Sequence, residues 1–349
     1  GVMPAGFERL APDRRRGRAV PGGPAMDLAA NTTFRRRALG ATSAGVGGAV
    51  WIAAPWLPSG RPPAVASLDH LFLFMPLVAA PLALAFLARL RDEDGGAPSR
   101  LLTLARCLQP AAAALLLLSF LLPGGTAAGA LTVPWLGLAL TVAAAGASDA
   151  VRRRRVRIAD ASLVAAQVFL PVGAAWLLLW RLGSGPRDFS PVAVSLAALH
   201  FHFNGFSSQV LVGATSRRLT RASAWLRRLQ RLVTVAAIGG LPLLAAGKAI
   251  SAPVARILGV GAIAFALMGL SATMTAVAMG ARSALARSFL VTAAASGAAA
   301  AGLAGAFGVG ELVGREWIGI GTMVAAHGVL MALGFTLCGL VGHLLLQRA

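Results

Sequence analysis

Ten long apolar runs, separated by short connectors in which arginine clusters, dominate this chain. The runs fall at 38–57, 69–90, 101–122, 127–148, 159–182, 191–213, 232–250, 254–279, 285–307 and 317–346. Each is near the roughly 20 residues a helix needs to cross a hydrocarbon layer of about 30 Å. Of the 349 residues, 57% are hydrophobic and 13% are charged, whereas a soluble domain carries about 45–50% apolar and about 25% charged residues. That excess needs an apolar solvent outside the protein. In lipid every backbone N–H and C=O must pair internally, so runs of this length read as helices. The expected fold is all-α, a polytopic transmembrane helical bundle of about ten spans occupying residues 38–349.

The net charge is +20, and Lys248 is the one lysine among 32 basic residues. A basic chain can mark nucleic-acid binding, but here the arginines sit between apolar runs, where positive residues hold loops in the cytoplasm. With the N-terminus inside, 26 of the 32 basic residues fall on the inner side and 6 on the outer. A missed or extra span would invert every later loop, so the bias supports an even count with both termini cytoplasmic. The abundance of Ala, Gly and Arg suggests a GC-rich bacterium, and hence the bacterial plasma membrane. Residues 1–37 contain Arg14–Arg16 and Arg35–Arg37 and read as a disordered, Arg-rich cytoplasmic tail. Met26 is a candidate start, and Arg35–Arg37 resembles a twin-arginine signal, although the many later spans favour a positive-inside anchor.

Small residues dominate 38–50, 141–147 and 291–306, which suits close helix approach and also an oligomer. Prolines 76, 81, 110, 134, 171 and 242 fall within spans, where neighbours must satisfy the freed carbonyls. Cys107 and Cys338 lie in apolar runs and read as packing residues. The segment 214–231 reads as a basic amphipathic loop with Trp225, Leu226 and Leu229 between arginines, suited to the anionic lipid of the inner leaflet.

Ionisable residues at mid-membrane depth are the best functional clue in such a chain. Asp69, Asp149, Asp160, Asp188, Glu311 and Glu316 sit at span ends or in loops, which argues against a relay of buried carboxylates. Histidines are the exception. His200 and His202 lie in His200-Phe201-His202-Phe203-Asn204-Gly205-Phe206, and His327 lies in Ala326-His327-Gly328-Val329-Leu330-Met331. All three are about ten residues below the outer end of their spans, roughly 15 Å deep. On a regular helix His200 and His202 point about 200° apart. His200 then shares a face with Asn204 and Ser207, and His202 with Phe206 and Gln209. His70 stands at the outer mouth of the second span and His343 near the inner end of the last. Neutral imidazole ligates haem iron, copper and zinc.

Two resemblances attach to these residues. The segments 200–206 (HFHFNGF), 70–82 and 327–343 resemble the YndJ-like family of bacterial polytopic membrane proteins, often labelled as transporters, over most of the chain after the tail. That family has Tyr and Ala where this chain has Phe203 and Asn204, so any role of the Tyr hydroxyl is lost here. More locally, His-Phe-His-aromatic is similar to the tenth helix of haem–copper oxidase subunit I, and His-Gly-Val-Leu-Met to its second helix. This likeness implies His202 and His327 as axial ligands of a haem b, with His200 facing a second site. The two motifs occur in reversed order, no His-His copper pair exists and the chain has no Tyr. An oxygen-reducing centre is excluded on this likeness, leaving a haem or a single transition metal.

Three functions stay open at this point. One is a haem or metal protein using His202, His327 and His200 for electron transfer or sensing. The second is a small-molecule permease with these histidines along the pathway. The third is a membrane scaffold. No P-loop pattern occurs, inner loops stay under about twenty residues and no soluble enzyme domain is expected.

Overall fold

The computed structural model describes residues 40–56, 63–94, 99–153, 156–187 and 189–347. The expected tail at 1–37, with Met26 and Arg35–Arg37, lies outside them, as do Arg61 and Asp188. No strand occurs among the described residues. Ten helical rods follow one another among the described residues: α1 (40–53), α2 (63–93), α3 (100–121), α4 (126–153), α5 (158–182), α6 (191–218), α7 (224–249), α8 (253–279), α9 (284–312) and α10 (320–346).

Eight rods, α2 to α5 and α7 to α10, are long and apolar enough to cross a membrane. α1 is short over its described residues. α6 is long enough, but buried polar side chains dilute its hydropathy. Sequential rods pack as hairpins, α3 on α4, α4 on α5, α7 on α8 and α8 on α9. Serines start several of them. Ser99, Ser190, Ser223 and Ser283 accept from backbone N–H groups three residues on, at α3, α6, α7 and α9, which satisfies donors the first helical turn leaves open. Gly183, at φ 70°, closes α5 in the left-handed conformation.

α2 and α6 form the centre. Residues 72–87 of α2 are all buried, and 89% of its apolar window is enclosed, against 28–50% for the other seven candidate spans. Residues 205–216 of α6 are likewise buried without a break. Both rods, and α10, carry π turns, at Met75–Ala79 in α2, Phe201–Ser207 in α6, and Met323–His327 and Leu330–Leu337 in α10. The segments Met75–Ala79, Phe201–Ser207 and Leu330–Leu337 pack against one another. In α2 the cause is readable. Pro81 has no N–H, so in the wide i→i+5 register the Pro76 carbonyl has no partner on its own helix. Gln109 of α3 supplies one, its Nε2 donating to Pro76 O at 2.7 Å.

The small-residue stretches do bring helices together. A Cβ on Gly47 of α1 would collide with the Leu77 carbonyl, one on Gly146 would stand 2.9 Å from Gln167 Cβ, and one on Gly297 2.7 Å from Ser271 Oγ. A further close crossing joins α7 to α8, where a Cβ on Gly259 would stand 2.5 Å from Leu244 N.

Two expectations need correction. Residues 214–231 are not a loop: α6 runs to Arg218 and α7 begins at Ala224. Leu229 packs on the core while Trp225 is 66% exposed. The faces assigned around His200 and His202 assumed 3.6 residues per turn, and the π turn over Phe201–Ser207 displaces them.

Candidate functional site

α6 carries the buried polar side chains Ser195, His202, Ser207, Ser208, Gln209, Thr215 and Ser216. Such a rod is too polar to face lipid and is stable only inside the bundle.

His202 is fully buried. Its Nδ1–H donates to Ala198 O at 2.8 Å, and its Nε2 accepts from the Trp135 indole N–H at 3.0 Å. Its ring lies edge-on to Phe72, with centroids 5.0 Å apart. Gly173 of α5 leaves the room it occupies, for a Cβ there would stand 2.7 Å from His202 Nδ1. Phe72 in turn packs on Phe120 and Trp180, and Arg181 lies over Phe120 at 4.8 Å. Arg181, 2% exposed, donates to Ser119 O and Leu122 O at the end of α3 at 2.6 and 2.7 Å.

His200 and His327 are bound differently. Nδ1–H of His200 donates to Leu196 O at 2.7 Å, and that of His327 to Ala300 O of α9 at 3.0 Å. A carbonyl only accepts, so both neutral rings are held with the lone pair on Nε2. α6 and α10 run parallel with an offset of 128 residues, for Thr215 Oγ1 meets His343 Nε2 at 3.2 Å and Leu211 fills the space beside Gly339. Continued toward the start of α6, the same offset puts His200 at the height of Gly328, where an added Cβ would stand 2.3 Å from Leu71 of α2. It also sets Ser208 level with Thr336, whose hydroxyls are both buried without a hydrogen-bond partner, like Ser207 Oγ and Gln209 Oε1. Polar side chains therefore recur along the α6–α10 seam at two levels, Ser208 with Thr336 and Thr215 with His343, roughly 10 Å apart along the helix. Asn204 of α6 is half-buried. His70 stands apart, stacked on Trp51 with centroids 4.3 Å apart.

One end of the bundle is tied by ion pairs. Arg217 of α6 reaches Asp94, at the end of α2, with 2.9 and 3.0 Å bonds, and Asp160 of α5 at 2.7 Å. Arg157 also pairs with Asp160, at 2.9 Å, and Arg91 pairs with Asp149 of α4. Burial acts to lower the Arg217 pKa, but its bonds to Asp94 and the charges of both aspartates raise it above its ordinary value. Asp149 and Asp160, two of the acids read from the sequence as span-end residues, are thus paired with arginines, and the terminus of α2, α4 and α6 and the start of α5 share one end.

The haem arrangement does not fit His202 as placed, because both its ring nitrogens are already bonded. His200 and His327 each bond a backbone carbonyl, Leu196 O and Ala300 O. Among the described residues no group of three or more His, Cys, Asp or Glu could hold a metal ion. The sequence reading missed Trp135, Gln109, the Thr215–His343 contact and the Arg217 pairs. A Trp in an apolar run reads the same whether it faces lipid or a histidine.

Neither a curated protein nor a solved structure matches this chain. A family model, that of the YndJ-like protein, matches residues 70–335, which takes in α3 to α9, nearly all of α2 and the first half of α10. The span includes His200 and His327 and ends one residue before Thr336, and since it covers most of the chain, this is a membrane protein of the YndJ-like family.

Proposed function

We propose that this chain is a permease of the bacterial plasma membrane, with ten spans, cytoplasmic termini and a substrate path along the α6–α10 seam. The observation that carries the reading is the row of polar groups on that seam, with Ser208 and Thr336 buried and unpartnered. Buried hydroxyls without partners cost about 1–3 kcal/mol each, and a water-lined path in another conformation gives them partners. π turns recur at functional sites, and three of them meet beside this seam. The Arg217 ion pairs close its cytoplasmic end in the conformation described. In this reading exposed Trp225, Arg227 and Arg228 at the start of α7 rest in the anionic inner leaflet.

The test needs no knowledge of the substrate. With Cys107 and Cys338 replaced by Ala, Ser208→Cys and Thr336→Cys are exposed in oriented vesicles to a membrane-impermeant cationic thiosulfonate. The path predicts modification of both from at least one side. Protection of both from both sides, in folded protein, removes the reading.

A further inference from the structure

We propose that the solutes passed along the α6–α10 seam are small, uncharged and hydroxyl-bearing, and that Ser208 and Thr336 are the groups that bind them. That the seam passes solutes at all rests on the permease reading. Two contacts fix how α6 and α10 face each other. A Cβ on Gly339 would stand 2.8 Å from Leu211 Cδ1, and Thr215 Oγ1 meets His343 Nε2 at 3.2 Å. Ser208, Leu211 and Thr215 follow at spacings of three and four, as do Thr336, Gly339 and His343, so each trio lies on one helix face. Ser208 and Thr336 therefore stand on the faces that meet, one turn beyond Leu211 on the side away from Arg217. Both hydroxyls are buried, and neither has a partner. Each can donate one bond and accept others, which is what an alcohol group needs on leaving water.

Charge selects the solute class. No Asp, Glu, Lys or Arg occurs in 70–88, 189–216 or 317–347. The three turns that pack together beside the hydroxyls, Met75–Ala79, Phe201–Ser207 and Leu330–Leu337, all fall in these stretches. An ion leaving water here finds no fixed counter-charge, and the cost of desolvation holds it out. A neutral polyol exchanges its bonds to water for bonds to Ser208 and Thr336. Size follows from the contact of Leu211 with Gly339, which narrows the seam one turn away. A reagent that reaches Ser208 from the side away from Arg217 has not passed this contact, whereas a solute that crosses must.

The experiment uses the full chain in proteoliposomes. Entry of glycerol and erythritol is followed by light scattering, and entry of choline and sulfate by radiolabel. We expect polyol entry at least about fivefold faster than in empty vesicles, with choline and sulfate at the empty-vesicle rate. Ser208→Ala and Thr336→Val should each lower polyol entry at least about threefold, the loss of one hydrogen bond to the solute. Neither should lower the unfolding temperature, because each removes a buried hydroxyl that has no partner to lose. Ser208→Thr and Thr336→Ser, which keep the hydroxyl, should retain more entry. Polyol entry no faster than through lipid, choline or sulfate entering as fast as polyol, or full entry in both Ser208→Ala and Thr336→Val would overturn the proposal. If neither polyol enters while Ser208→Cys and Thr336→Cys are modified, the solute class falls and the path stands. If both cysteines stay protected from both sides, the path falls and the solute class with it.

Discussion

Trp135 of α4 holds His202 of α6 by a 3.0 Å bond from its indole N–H to Nε2. Both groups are fully buried, so losing one strands the other. Trp135→Phe should lower stability by about 1–3 kcal/mol, the cost of an unsatisfied buried acceptor plus some packing. Trp135→Phe combined with His202→Leu should cost less than the two single changes together, giving a coupling of about 0.5–3 kcal/mol. Thermal unfolding in detergent measures both. Because the bond occupies His202, the purified protein should also show no Soret band. A Soret band lost in His202→Ala would show that Trp135 yields its place to haem.

Gln109 is the partner that lets α2 carry Pro81 in its middle. Gln109→Leu keeps the volume and removes the donor to Pro76 O. A buried carbonyl then stays unpaired, for about 1–3 kcal/mol. Gln109→Glu should be worse, because its protonated form must supply the donor and its ionised form is repelled by the carbonyl. An unchanged unfolding temperature for Gln109→Leu would show that another group or water reaches Pro76 O.

The helices were legible because lipid makes the same demand of each, and eight of them are long and apolar enough to cross a membrane among the described residues. Each of the ten apolar runs became a helical rod, with α6 starting at Pro191 and α9 at Ala284, within a residue of the apolar boundary. Glycine faces were legible for a similar reason, since a missing Cβ means a close neighbour wherever it occurs. The identity of that neighbour was not. His200, His202 and His327 were visible in the sequence, but what each ring bonds depends on the register of the helices and on the π turn after His200. The register of α6 against α10 rests on contacts between residues more than a hundred positions apart, such as Thr215 with His343. The enclosure of α2 and α6 was hidden too, because an apolar run reads alike against lipid and against protein.

Arg217 bridges Asp94 and Asp160, with its own side chain 16% exposed and Asp160's 6%. Removing one member of a buried pair costs about 3–5 kcal/mol, and partial exposure reduces this to about 1–3. Asp160→Asn should therefore destabilise more than Asp94→Asn, whose carboxylate is 25% exposed. The sign with pH is fixed by Arg217. A cation whose folded pKa is raised gives its stabilisation below the unfolded value and loses it only as pH rises through the folded one, which for Arg217 lies above the ordinary arginine range. Its contribution should be flat from pH 7 to 10. In the permease reading Arg217→Ala should also speed modification of Thr336→Cys from the cytoplasmic side.

Gly47 and Gly48 are neighbours on α1 with opposite surroundings. A Cβ on Gly47 meets the Leu77 carbonyl, which is backbone and cannot turn away, while a Cβ on Gly48 meets nothing within 4 Å. Glycine to alanine inside a helix gains about 1 kcal/mol by propensity. At Gly48 that gain should appear as a higher unfolding temperature. At Gly47 overpacking of about 1–3 kcal/mol should outweigh it, or α1 should detach from α2. Equal effects at the two positions would mean that α1 does not lie against Leu77.

The orientation expected from the arginines can be checked one connector at a time. Ser223 and Ser283 lie at the arginine-rich end, between α6 and α7 and between α8 and α9. Ser184 and Ser251 lie at the opposite end, after α5 and after α7. In the Cys107→Ala, Cys338→Ala background, cysteine at 223 or 283 should react with an impermeant maleimide only after the membrane is opened. Cysteine at 184 or 251 should react in intact spheroplasts. The four positions alternate across three successive rods, α6, α7 and α8, so one wrongly placed span cannot satisfy all of them. Reaction at 223 and 251 from the same side would mean that α7 does not cross, and the argument from charge would fail with it, because that argument needs every connector in turn to change sides.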